Sequence, residues 1–283
     1  VAQNLVEARE GKQPGYRITG WTYNMYGLVN LNDPVDLTVE RVGRIPGGGL
    51  LLEVTAKIDG QIVSRATATT APPTTAYVYP GQGIQRQGMA LEEMATSDAA
   101  REVWERADRL TRDALGFSIL TVVRDNPTEM VVGDQVLRHP DGLLNLTQFT
   151  QVALATVAFA QTERLREMGA LVDRAYFAGH SLGEYNALSA YGEVFPLENV
   201  LEIVFHRGST MHHLVPRDDK GRSNYRMGAL RPNQFGIGDD EVVAYVDSVA
   251  EKSGEFLQIV NFNLAGQQYA IAGTIEGLKA LNE

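Results

Sequence analysis

The pentapeptide Gly179-His180-Ser181-Leu182-Gly183 sits between a short apolar run, Ala175 to Ala178, and a segment, Leu182 to Ala190, that suits a helix. No other stretch limits the fold as tightly. A serine on a sharp strand-to-helix turn adopts strained backbone dihedrals, so its flanking positions must be small, and glycines stand at 179 and 183. Such a turn holds the hydroxyl clear of the sheet and beside a helix N-terminus, where a developing oxyanion is favoured. Two readings of the pattern stand, a serine nucleophile and a tight structural turn. The pattern alone occurs often by chance; its strand-then-helix context is what points to the nucleophile.

Periodicity organises the rest. Val35, Leu37 and Val39 alternate with polar residues, Gly47-Gly48-Gly49 breaks the run, Leu50 to Lys57 is again strand-like, Asp59-Gly60 is a hairpin signal, and Ile62 to Thr69 completes a three-strand meander. Trp21, Tyr23, Met25 and Tyr26 point to a further strand or an aromatic packing segment. Pro72-Pro73 removes ladder donors, so residues 71–75 read as a linker between a unit at 1–70 and a core at 76–224. In that core a short strand, Ala76 to Tyr79, runs into Pro80-Gly81-Gln82-Gly83. Helical patterns follow over 88–114 and 147–168, the latter with Phe149, Val152, Ala153, Thr156, Val157 and Ala160 on one buried face and Met168-Gly169 as its stop. A buried strand at 175–178 and a helix at 200–211 complete the alternation of an α/β unit whose sheet is covered on both faces.

Residues 225–283 read as strand, helix, strand, strand, helix, a ferredoxin-like order lacking its last strand. Before them, Arg217-Asp218-Asp219-Lys220-Gly221-Arg222 reads as a solvated polar loop.

Composition narrows the chemistry. Cys is 0, which removes disulfides, a thiol nucleophile and cysteine-ligated metal or cluster sites. The formal net charge of −10 lies wholly downstream of residue 70, which argues against nucleic-acid or anionic-membrane binding. That surplus reads as a soluble surface or as a face for a basic partner. The start at Val1, the lack of a leader and the absence of an apolar run of about 18 residues lead to the expectation of a soluble, cytoplasmic protein cut from something longer.

The pentapeptide, extended to Glu184-Tyr185, together with Tyr79-Pro80-Gly81-Gln82-Gly83-Ile84-Gln85, His206-Arg207-Gly208 and Asn261-Phe262-Asn263 with Gly266-Gln267 and Ile271-Ala272-Gly273, resembles the malonyl-CoA:acyl carrier protein transacylase family. The likeness covers residues 76 to 283. It implies an acyltransferase fold, with a parallel-sheet, α/β-hydrolase-like core and an inserted ferredoxin-like subdomain, here incomplete. It also implies Ser181 as nucleophile, the backbone amides of Gln82 and Leu182 as oxyanion hole, and Arg207 as partner of a malonyl carboxylate. Gln151, Gly81, Gly83, His180 and Asn263 would line the pocket, with Met211 and the strand at 225–230 at its border. For Arg207, a salt bridge on the helix surface is the alternative. The implied mechanism is ping-pong: Ser181 attacks the thioester, coenzyme A leaves, and the phosphopantetheine thiol of an acyl carrier protein takes the acyl group.

An elbow serine needs a base, and the family's histidine follows the small subdomain, inside which this chain stops. His139, His180, His206, His212 and His213 do not stand at the matching place, so the chain is expected to be catalytically incomplete. No metal is expected.

Residues 31 to 70 resemble the closing strands of a MaoC-like hot-dog dehydratase. A dehydratase followed by a transferase resembles the order in fungal-type type I fatty acid synthases, also found in mycobacteria. The resemblance then implies malonyl/palmitoyl transfer, malonyl-CoA, palmitoyl-CoA and an acyl carrier protein as partners, neighbouring synthase domains, and a large homo-oligomer. It implies no cofactor bound to this segment, NADPH and FMN being expected only in other domains. A polyketide synthase acyltransferase, a serine thioesterase or hydrolase, and a structural segment of the assembly stay as alternatives.

Overall fold

The structure, a computed structural model, describes residues 18–45, 49–71, 75–172 and 175–283. The expected breaks at Gly47-Gly48 and Pro72-Pro73 lie outside these. Four strands open the chain: β1 (Ile18–Met25), β2 (Asp36–Arg44), β3 (Leu50–Ile58) and β4 (Gln61–Thr70). They form an antiparallel sheet in the order β1-β4-β3-β2. The meander is as expected, and Trp21, Tyr23 and Met25 lie on its fourth strand, paired with Ala68, Ala66 and Ser64. On central β3, Leu50, Leu52, Val54 and Ala56 alternate inward. Asp59 and Gly60 both take positive φ, 49° and 79°, as a two-residue hairpin turn matched to strand twist demands. Leu37, one of the alternating apolar residues, is 47% exposed. It sits on β2, which among the described residues is an edge strand with β3 as its neighbour.

The larger core begins with β5 (Ala76–Tyr79), followed by α1 (Leu91–Thr96), α2 (Asp98–Leu115) and α3 (Ile119–Asp125). The single helix expected over 88–114 is therefore two. Ser97 separates them in an extended conformation, its Oγ accepting the Ala100 N–H at 3.1 Å and donating to Glu167 Oε2 at 2.5 Å. A serine that satisfies an orphan first-turn amide starts a new helix rather than continuing an old one. A hairpin, β6 (Glu129–Val132) and β7 (Gln135–Arg138), and helix α3 are elements that the periodicity did not reveal.

Helix α4 (Thr147–Glu167) ends where expected but is not one-faced. Every side chain from Gln148 to Thr156 is buried, and so are Ala158, Phe159, Ala160 and Thr162, because α2 and the later α6 flank the helix on different sides. The inward threonines made the sequence look half polar. Thr150, Thr156 and Thr162 return their hydroxyls to carbonyls four residues back on the chain, at 3.0, 2.9 and 2.7 Å, so they enter the core satisfied.

Strand β8 (Tyr176–Gly179) pairs in parallel with β5, Tyr79 opposite Gly179. The covered parallel sheet expected here is a two-stranded pair among the described residues. The strand expected to be buried leaves Tyr176 and Phe177 43% and 40% exposed. Among the described residues it has β5 as its one pairing neighbour. Beyond it come α5 (Leu182–Asn186), a π turn at Ala187–Tyr191, and α6 (Leu197–His213). At the exit of β8 the chain passes very close to itself. A Cβ on Gly183 would stand 2.0 Å from the Tyr79 carbonyl oxygen, and one on Gly179 would stand 1.9 Å from that of Gly183.

The last unit comprises β9 (Tyr225–Leu230), α7 (Val242–Ser253), β10 (Leu257–Leu264), β11 (Gln268–Thr274) and α8 (Ile275–Asn282). Its antiparallel sheet runs β10-β11-β9. Leu230, Val242, Val246, Leu257, Tyr269 and Ile271 form its core between helices and sheet. Thr274 caps α8 by accepting the Gly277 N–H at 3.1 Å.

Two substitutions test this packing. Phe149 is fully buried and meets Phe117 edge-on with ring centroids 4.8 Å apart; Phe149→Ala is expected to cost about 3–5 kcal/mol, read as a lower urea midpoint. Gly183→Ala places a methyl carbon against the Tyr79 carbonyl and is expected to lower the melting temperature by more than Phe149→Ala does, since backbone on both sides must move.

Candidate active site

Ser181 caps α5 with φ 55° and ψ −111°, a positive-φ conformation that a non-glycine residue adopts only under constraint from its surroundings. The constraint is visible on both sides. His180 N–H bonds to the Tyr79 carbonyl at 3.3 Å, and Gly183 N–H bonds back to the His180 carbonyl at 2.9 Å. The serine is exposed while Leu182 behind it is fully buried. Leu182 opens the helix, so its N–H belongs to the first turn, whose donors have no intrahelical acceptor.

Arg207 reaches this serine from α6. Its Nη2 donates to Ser181 Oγ at 3.2 Å and its Nη1 to Gln151 Oε1 at 2.7 Å. Gln151 is 0% exposed on α4 and donates its Nε2 to Met211 Sδ at 3.6 Å. Both ends of its amide are occupied, which fixes the orientation of the guanidinium. Arg207 Cζ also lies 5.5 Å from the centroid of the Tyr185 ring, within reach of a cation–π contact. The surface salt bridge that the sequence left open for Arg207 is not what the structure shows: its partners are an amide, a hydroxyl and an aromatic face.

The Gly81–Gly83 loop crosses in front of the same turn. Gln82 Nε2 donates to Thr147 Oγ1 at 2.9 Å, tying the loop to the start of α4, and Gly83 N–H bonds to Gln85 Oε1 at 2.8 Å. A Cβ on Gly81 would lie 2.8 Å from the His180 carbonyl. From the small unit, Asn263 Oδ1 accepts from His180 Nε2 at 3.0 Å and from Asn261 Nδ2 at 2.6 Å. The side chain of His180 is thus held by the small unit's sheet.

Ser181, Arg207, Gln151, Gln82, Gly81, Gly83, His180 and Asn263 therefore come together from separate elements. Two contributors were given no role by the sequence reading, Tyr185, quoted only as part of the motif, and Thr147. Tyr185 follows Ser181 by one helical turn, a spacing that was the available signal. Thr147 carried none. Two of the other histidines are engaged elsewhere: His139 Nδ1 accepts the Asp141 N–H at 3.1 Å, and His213 Nδ1 bonds to the Ser209 carbonyl at 2.7 Å.

The chain is similar to known proteins. Residues 76–273 match the family described as the acyl transferase domain. Fatty acid synthase subunit beta of Saccharomyces cerevisiae is 34% identical over 97% of this chain, and fatty acid synthase beta subunit TOXC of Cochliobolus carbonum is 34% identical over 99%. The chain spans 15% and 16% of those two relatives. Among solved structures, the malonyl CoA-acyl carrier protein transacylase of Coxiella burnetii is similar with a TM-score of 0.56 and 28% identity, over 75% of this chain and 57% of that one. A malonyl-transacylase solved with its type II PKS acyl-carrier protein gives a TM-score of 0.53 at 28% identity, over 72% and 56%. The match takes in the serine turn, the glycine loop and the arginine helix together, and on it the chain belongs to the acyl transferase domain family.

Proposed function

We propose that this chain transfers malonyl and long acyl groups, palmitoyl among them, between coenzyme A and an acyl carrier protein, within a multifunctional fatty acid synthase. The observation that carries the reading is Arg207, held by Gln151 and Tyr185 with its free fork 3.2 Å from Ser181 Oγ. A cation fixed at that distance selects an acyl group that ends in a carboxylate. A thioesterase of simple acyl chains would have no use for it.

In this mechanism Ser181 Oγ attacks the thioester carbonyl carbon. The oxyanion forms against the backbone amides of Gln82 and Leu182, the first held by the Gln82–Thr147 bond and the second by the helix start. Coenzyme A thiol leaves, and the carrier's phosphopantetheine thiol later attacks the acyl-serine. The hydrogen-bond partner of Ser181 Oγ is Arg207 rather than a histidine, so the reading takes its general base from outside the described residues. Thioester exchange is nearly balanced in energy, and the site's task is orientation and exclusion of water.

The division of labour goes with this reading. Residues 1–70 are the closing strands of a hot-dog domain, 71–75 a linker, 76–224 the transferase core and 225–283 a ferredoxin-like subdomain. The sheet order β10-β11-β9 supports the last, since among the described residues β9 has an open edge where a fourth strand would pair. Beside that edge lies a groove lined by Gly228, Leu230, Ile271, Leu278 and Leu281. NADPH and FMN chemistry belongs to other parts of the synthase, which works in the cytoplasm; no helix of the described residues is long and apolar enough to cross a membrane.

Intact-protein mass spectrometry of the full parent enzyme, which supplies the general base, after brief mixing with malonyl-CoA is the direct test. A malonyl adduct on Ser181 is expected, absent in Ser181→Ala; release of free malonate without an adduct would replace the transferase with a hydrolase. Arg207→Ala is expected to lower kcat/KM for malonyl-CoA by about a hundredfold or more, as loss of a charge-assisted hydrogen-bonded pair implies, while palmitoyl transfer changes by less than about tenfold.

A further inference from the structure

Gly81 and Gly83 flank Gln82 in the loop after β5, and Gly83 takes φ 117°, a conformation that a side chain rarely adopts. Glycines on both sides leave the backbone free to turn, so local sterics do not fix the direction of the Gln82 N–H. Ties to other parts of the chain must supply it. Gly83 N–H bonds to Gln85 Oε1 at 2.8 Å, which stiffens the loop within itself. Further on, Gln87 Nε2 donates to the Arg124 carbonyl and Gly88 N–H to the Val123 carbonyl, both at 2.8 Å, which seats the far end on α3. Gln82 Nε2 donates to Thr147 Oγ1 at 2.9 Å. This last bond is made by the residue whose backbone amide the acyl-transfer reading assigns to the oxyanion.

Thr147 is suited to hold it. On the same helix Thr150, Thr156 and Thr162 give their hydroxyls to carbonyls four residues back. Thr147 is the first residue of α4, with no helical carbonyl behind it, so its hydroxyl is left to bond elsewhere. Its place is also rigid. A Cβ on Gly208 would stand 2.5 Å from Gln148 Cα and 3.0 Å from the Thr147 carbonyl carbon, so the start of α4 lies directly against the helix that carries Arg207. A hydroxyl on such a support moves little, and a donor bound to it is held as firmly. Burial does not do this work, since the Gln82 side chain is exposed.

We propose that Thr147 is a positioning residue for the oxyanion hole, its hydroxyl fixing, through the Gln82 side chain, the direction of the Gln82 backbone N–H. This role rests on the acyl-transfer reading, in which that N–H faces the thioester oxygen. Malonyl and palmitoyl thioesters present the same carbonyl group, so the tie serves both, whereas Arg207 serves malonyl. The tie acts on the oxyanion rather than on the bound thioester, and its loss shows in the rate of acylation and not in affinity.

The test follows single-turnover acylation of Ser181 in the full parent enzyme, by intact-protein mass spectrometry of quenched samples over a range of malonyl-CoA and palmitoyl-CoA concentrations. Thr147→Val and Gln82→Met are each expected to slow both acylations by about tenfold at saturation, with half-saturating concentrations within about twofold of the parent. Thr147→Ser, which keeps the hydroxyl, is expected to restore most of the rate. The double variant is expected to be no slower than either single one, because both remove the same bond. Gln82 is exposed, so Gln82→Met carries the test if Thr147→Val alters the fold. Rates within about twofold of the parent in Gln82→Met, losses that multiply in the double variant, or a loss confined to malonyl-CoA overturns the proposal. No adduct on Ser181 in the parent with either thioester sinks the acyl-transfer reading and this role with it; an adduct in the parent with unchanged variants sinks this role alone.

Discussion

The close passage of the chain across the Tyr79 carbonyl governs what lies downstream of it. Gly179 and Gly183 leave room for two backbone segments to come within a distance that any side chain would forbid. The parallel register of Tyr79 with Gly179 then delivers the serine to the same end of the strand pair as the Gly81–Gly83 loop. Once the hydrogen bonds of His180 and Gly183 are made, Ser181 has no choice but a positive φ. The strain sits where the hydroxyl must stand away from the sheet, and the buried Leu182 anchors it from behind.

Helix α4 is the second organiser. It runs through the centre of the larger core, and a central helix would ordinarily be apolar throughout. This one carries Gln151 inward, where a fully buried amide costs stability unless each of its atoms is matched. Arg207 and Met211, one helical turn apart on α6, supply the match. The core thereby orients the arginine, and the arginine's position relative to Ser181 is set by helix packing rather than by a loop. At the helix's start, Thr147 does the same for the glycine loop. A single element positions both sides of the candidate site.

His180 and Asn263 join the elbow to the small unit's sheet. That contact links two units whose hydrophobic cores are separate.

Much of this was legible in the sequence, and the parts that were not share a cause. Turn chemistry at Asp59-Gly60, the glycines around Ser181, the period-two strand at 50–57 and the stop at Met168-Gly169 are local, and local sterics alone decide them. Motif order and spacing identified Ser181, Arg207, Gln151 and Gln82 by resemblance. The sequence could not show that α4 is surrounded, because its threonines hide their hydroxyls in their own backbone. Nor could it tell that Ser97 divides one helical pattern in two, since the deciding partner, Glu167, is 70 residues away. The loop at 217–222 reads as solvated from its charges, and Asp218, Asp219, Lys220 and Arg222 are exposed as that reading expects, while Gly221 alone is buried, against the Arg138 carbonyl. Sequence by itself thus determined which residues turn, cap and alternate, and which motifs recur. Only the tertiary structure decided which polar groups meet, because a hydrogen bond depends on ångström-scale approach between segments whose separation along the chain carries no information about their separation in space.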